Sequence, residues 1–174
     1  MNKSTFNFAI LFVVLVLAQA VVFNNLILFN TAIAMVFIYM IVILPLTVGT
    51  NTSLTIGFLL GLCVDIFSDT PGLNALSCTI LSFVRRPVYH LYMPREEEIA
   101  VQRPGLKSMG WSAFVKYSLT MSLIYCVCVF MLEAFSFFDI KRLLIRIGAS
   151  TLYTLIFIYA FDSLSLSRRR EKKL

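Results

Sequence analysis

The sequence predicts an all-α integral membrane protein with about six helical spans and both termini on the cytoplasmic side, on three observations. Hydrophobic residues make up 59% of the 174 residues and charged ones 14%, against about 45–50% and about 25% in soluble domains. No charged side chain stands between Lys3 and Asp65, a run of 61 residues, and no soluble fold hides so much apolar chain without a charged outer face. With six spans and the amino terminus inside, 12 of the 15 Lys and Arg residues fall on the inner side and only Lys141, Arg142 and Arg146 fall outside, the bias that marks cytoplasmic loops.

Crossing about 30 Å of hydrocarbon takes about 20 helical residues. The first span is expected at about 6–28, interrupted only by Gln19, Asn24 and Asn25, and the second at about 31–48, with Pro45 near its end where a lost backbone bond costs least. Lys3, the stretch to Leu17 and Ala18-Gln19-Ala20 have the form of a secretory signal peptide. Cleavage would leave Val21-Val22-Phe23 running at once into more apolar chain, so this segment is expected to remain as the first span. The third span, about 52–68, and the fourth, about 72–92 with an amphipathic end, form a hairpin around Asp69-Thr70-Pro71-Gly72, whose Pro-Gly pair favours a tight turn. A polar loop at about 93–110 carries Glu96-Glu97-Glu98, Pro104 and Gly105. The fifth and sixth spans follow at about 111–135 and 143–165, and a basic tail occupies 166–174. Trp111, Tyr117, Tyr89 and Tyr92 fall near expected interfaces, where amphipathic rings settle.

The net charge of +6 comes from clusters beside apolar spans rather than from a stripe on a folded surface. They read as topology determinants and contacts for anionic lipid, not as a nucleic-acid footprint. Cys63, Cys78, Cys126 and Cys128 lie inside apolar segments without C-x-x-C spacing, as packing residues do. His90 has no second histidine with which to share a metal, and no phosphate-binding glycine loop occurs. No catalytic constellation, cofactor site or metal site is expected.

The third span is the informative one. Gly57 and Gly61 form a G-x-x-x-G pair that allows close backbone approach, and Asp65 and Asp69 continue the four-residue spacing. Each step of four drifts by about 40°, so the four residues share one face of about 120°. A carboxylate within a span is expensive unless paired or hydrated; Lys141, Arg142 and Arg146 are candidate partners on the same side, and an Asp65–Arg146 ion pair across the bundle would account for both oddities at once. Arg85 and Arg86, before Pro87, are expected to snorkel to the cytoplasmic head groups, as are Glu133 and Asp162 near their span ends.

The stretch Gly61-Leu-Cys-Val-Asp65-Ile-Phe-Ser-Asp69-Thr-Pro-Gly72-Leu-Asn-Ala75-Leu76 resembles the signature hairpin of the rod-shape-determining membrane protein family MreD. That pattern has a glycine, an aspartate four residues on, a short turn with a second glycine, and a small-residue run opening the next helix. Gly61, Asp65, Gly72 and Ala75 match it, with Asp69 and Pro71 as this chain's version of the turn. The uncharged amino-terminal half, the basic loop and the basic tail fit as well. The resemblance implies a non-enzymatic inner-membrane subunit of the bacterial elongation machinery that binds MreC and helps link MreB to RodA and its transpeptidase partner. It also implies a fold similar to the substrate-binding subunits of energy-coupling-factor vitamin transporters. The alternative of a different class is such a transporter subunit itself, whose Ala-x-x-x-Ala coupling surface finds no counterpart among the alanines here.

Overall fold

The computed structural model describes residues 3–23, 27–28, 32–70, 72–93, 103–133 and 140–171. Helix α1 (Lys3–Ala18) widens into a π-helical turn at Gln19–Phe23. Two-residue strands β1 (Ile27–Leu28) and β2 (Ala32–Ile33) then pair antiparallel, Ile27 opposite Ile33 and Leu28 opposite Ala32. A 3₁₀ turn at Val36–Ile38 leads into the single-turn helix α2 (Tyr39–Val42), followed by the long helices α3 (Thr50–Ser68) and α4 (Leu73–Tyr92). The short α5 (Leu106–Met109) precedes α6 (Trp111–Glu133) and α7 (Ile140–Glu171).

The described chain is helical but for that small strand pair and the connecting turns, and three helices are long and apolar enough to cross a membrane: α3, α6, and α7 over Ile140–Ser163. Their outer faces carry Phe58, Ile66, Leu119, Leu152 and Ile156 in exposed positions, the arrangement of a chain whose solvent is lipid. Helix α4 is amphipathic in the inverted sense. Its buried face holds Asn74, Ser77, Ser82 and Arg85, while Leu76, Phe83 and Leu91 point outward. Helix α7 runs on past its apolar part through Glu171, so Arg168, Arg169 and Arg170 lie on helix rather than on a separate tail.

The expected second span is a correction. Across 32–48 the chain forms no long helix: β2, the irregular Ala34-Met35, the 3₁₀ turn and α2 end in turns around Pro45. Every residue from Ala34 to Val42 is buried, most of them fully. This segment is the centre of the core, not a lipid-facing wall. Hydropathy cannot separate the two, because an apolar chain surrounded by protein and one surrounded by lipid have the same composition. Irregular backbone is tolerated at such depth only where protein supplies its hydrogen bonds.

Helices α3 and α4 pack as an antiparallel hairpin, and the two glycines set their separation. A Cβ added at Gly61 would lie 2.5 Å from the Ala75 Cα and closer still to the Asn74 carbonyl oxygen; one at Gly57 would lie 2.8 Å from the Cys78 carbonyl oxygen and would overlap the Ser82 hydroxyl. Gly148 on α7, by contrast, has open space where its Cβ would be.

Gly61→Ala is therefore expected to lower stability by about 1–3 kcal/mol through overpacking against backbone. Gly148→Ala should leave it unchanged or raise it by up to about 1 kcal/mol through helix propensity. Thermal unfolding of the detergent-solubilised variants separates the two, and equal shifts would refute this packing.

Candidate functional site

The hairpin turn is built around one buried carboxylate. Helix α3 ends with Asp69 in the left-handed region (φ 52°), a conformation that Asp adopts more readily than most residues. Thr70 N–H then donates to the Asp65 carbonyl at 3.3 Å. Gly72 (φ 79°) opens α4, where glycine meets no steric penalty. The turn brings the first N–H groups of α4 onto the Asp65 side chain. Asn74 N–H and the Asn74 side-chain amide donate to Oδ1 at 3.0 and 2.9 Å, Ala75 N–H donates to Oδ2 at 2.8 Å, and the Thr70 hydroxyl donates to Oδ1 at 2.7 Å.

Asp65 thus does for α4 what an N-cap side chain ordinarily does within one helix, but it reaches across from α3. The negative charge faces the positive end of the α4 dipole, and the N–H groups, which lipid could not satisfy, are paired. Asn74 extends the network. Its amide also donates to the Thr70 hydroxyl at 3.1 Å, and its Oδ1 accepts the hydroxyl of Tyr125 on α6, whose ring meets Phe37 edge-on at 5.6 Å. Gly61, Asp65, Gly72 and Ala75 therefore converge on one unit, with Gly57 two turns below. Thr70, Asn74 and Tyr125 belong to it without having been singled out from the sequence. A polar Asn74 in the first turn after the glycine is the sequence signal that could have found them. Pro71 lies outside the described residues.

The expected Asp65–Arg146 pair does not form. Arg146 lies 3.5 Å from Glu133 and over the Phe130 ring at 4.8 Å. Asp65 is satisfied by neutral donors instead, which in a low-dielectric site serve a carboxylate as well as a cation does.

The other end of α4 holds the irregular segment. Arg85 is fully buried and donates to the carbonyls of Leu44 and Pro45, and Arg86 donates to those of Leu46 and Val48 at 3.0 and 3.1 Å. The expected snorkelling of these arginines gives way to a clamp on carbonyls that no helix satisfies. Further along, the amide of Gln19 bridges the Ala34 carbonyl and the Val36 N–H, both at 3.0 Å. Ser150 and Thr154 on α7 accept from Ile33 and Met35 N–H at 3.1 and 3.0 Å. Asp162 is buried rather than snorkelling: it accepts the Tyr39 hydroxyl and Leu106 N–H, each at 3.1 Å, and so ties α2 and α5 to α7. Tyr89 and Tyr117 also lie in the core, ring to ring at 5.9 Å, whereas Trp111 remains exposed.

Beside the hairpin turn a cleft of about 270 Å³ opens, with Val64, Thr70, Asn74, Phe130 and Glu133 among its walls. Among the described residues no group of three His, Cys, Asp or Glu is placed to hold a metal. The polar loop over residues 94–102, Asp139 and residues 172–174 lie outside the described residues.

Asp65→Ala should cost about 2–4 kcal/mol, because it removes a cap and strands two buried N–H groups. Arg146→Gln should cost under about 1 kcal/mol, as for an exposed pair, and the double variant should show no coupling. A coupling above about 1 kcal/mol in that cycle would restore the ion pair. Arg85→Met is expected to destabilise more than Arg86→Met, since it empties a fully buried site and strands the buried Leu44 carbonyl; denaturant titration of both reads the order. Comparison with protein-family models, with curated proteins and with solved structures finds no match to this chain.

Proposed function

We propose that this chain is a non-enzymatic subunit of the bacterial cell-elongation complex, seated in the inner membrane and scaffolding MreC, MreB and RodA with its transpeptidase partner. The observation that carries the reading is the hairpin: of the four residues that resemble the MreD pattern, Gly61 and Asp65 both meet Ala75, and Gly72 opens the helix that carries Ala75. A motif of this kind has a physical reason to persist as a set, since each member makes sense only with the others present. The hairpin is rigid, and it leaves Phe58, Leu59, Leu62, Ile66 and Phe67 exposed on the outer side of α3 for lipid or for a partner's span.

In this reading α4 crosses the bilayer with α3, its 20 residues covering about 30 Å at 1.5 Å each, and its inverted amphipathicity suits a helix that hides polar groups from lipid. In this reading both termini and the basic end of α7 lie in the cytoplasm, the side to which the excess of Lys and Arg points. The second reading, a small-molecule transporter subunit, is favoured by the cleft beside the turn.

A photo-crosslinking residue placed at Ile66 or Phe67 in native membranes tests the proposal. Crosslinks to a single-span coiled-coil protein or to the elongation synthase are expected. Crosslinks to the subunits of an ATPase-driven transporter would overturn it.

A further inference from the structure

The cleft beside the hairpin turn has a chemical character that the scaffold reading does not use. Its volume is about 270 Å³, near the lower end of small-ligand sites, which run from about 300 Å³ upward. Val64, Val129 and Phe130 give it apolar walls, and Gln19, Ser68, Thr70, Asn74 and Glu133 give it polar ones.

Of these polar side chains, Thr70, Asn74 and Glu133 offer acceptors. Both Asn74 amide hydrogens are committed, to Asp65 and to Thr70, and the Thr70 hydroxyl hydrogen is committed to Asp65. What remains on these side chains is oxygen lone pairs, of which Asn74 Oδ1 keeps one beside that taken by the Tyr125 hydroxyl, together with the carboxylate of Glu133.

The field has the same sense. The last turns of α3 and α6 both end at this cleft, contributing Val64 and Ser68 from one and Val129, Phe130 and Glu133 from the other, and each helix C-terminus carries about half a negative charge. The opposing N-terminus of α4 is already met by the full charge of Asp65. Arg146 balances Glu133, and the manner in which it does so is informative: its guanidinium lies over the Phe130 ring at 4.8 Å and 3.5 Å from the Glu133 carboxylate. The rim is a carboxylate beside an aromatic face, a pairing that holds cations. Lys141 and Arg142 are exposed at the start of α7 and are not among the lining residues.

We propose that this cleft binds a small organic cation, a protonated amine carried on an apolar ring or short chain. The apolar body lies against Val64, Val129 and Phe130, and the ammonium donates to the oxygens of Thr70, Asn74 and Glu133. An anion of the same size meets the Glu133 carboxylate and two helix C-termini, and is rejected.

Three probes that share one ring and differ in charge test this: phenethylammonium, 2-phenylethanol and 3-phenylpropionate, each measured by equilibrium dialysis against the full chain in detergent micelles, with linear partition into empty micelles subtracted. Saturable binding is expected for the ammonium, weaker binding for the alcohol and none for the carboxylate. Glu133→Gln changes an exposed side chain, so it keeps the fold, and it should weaken ammonium binding about threefold, as for loss of a solvent-exposed charge contact. Val129→Trp, which fills the cleft, should abolish it. No saturable ammonium binding, equal binding of the carboxylate, or ammonium binding indifferent to Glu133→Gln would overturn the proposal.

Discussion

A backbone N–H or C=O placed in hydrocarbon has no partner but the protein, and each one left unpaired costs several kcal/mol. The architecture follows from where this chain breaks its helices. At the hairpin, the N–H groups that open α4 go to Asp65; in the core segment, the irregular backbone is paired by Gln19, Ser150 and Thr154, and its final carbonyls by Arg85 and Arg86. Asp162 repeats the device for α5 through Leu106 N–H, and it holds α2 through the Tyr39 hydroxyl. Most of the buried polar side chains that look out of place in an apolar sequence, Gln19, Asp65, Arg85, Ser150, Thr154 and Asp162 among them, are partners for backbone.

This constraint also separates what could be read from sequence from what could not. The spacing of Gly57, Gly61 and Asp65 placed three residues on one face of a helix, and the structure sets that face against α4. Long apolar stretches located α3, α6 and α7 because those helices face lipid. The helix expected over 31–48 failed for the same reason in reverse, since composition does not record whether an apolar residue is covered by lipid or by protein.

The partner of Asp65 was misjudged because charge was matched with charge. A carboxylate needs donors, and the start of a helix nine residues downstream offers them in fixed geometry, whereas Arg146 would have had to cross the bundle. Arg85 and Arg86 were read by their charge as head-group contacts, but a guanidinium carries five donors, and carbonyls freed by a turn can use them. Both errors share one cause: donor and acceptor needs of an irregular backbone cannot be counted before the position of the irregularity is known.

A scaffold gains from this construction, because elements locked by buried hydrogen bonds present their outer faces in one arrangement. The hairpin also forms a wall of the cleft, so a ligand there would contact the network that holds α3 and α4 together. The central claim, that the Asp65 carboxylate caps α4 from α3, is tested most directly by amide hydrogen exchange in detergent. The Asn74 and Ala75 N–H groups should be as protected as those in the middle of α4, and Asp65→Ala should release both while the middle of α3 stays protected. Fast exchange at Asn74 and Ala75 in the unaltered chain, or protection that survives loss of the carboxylate, would contradict the account.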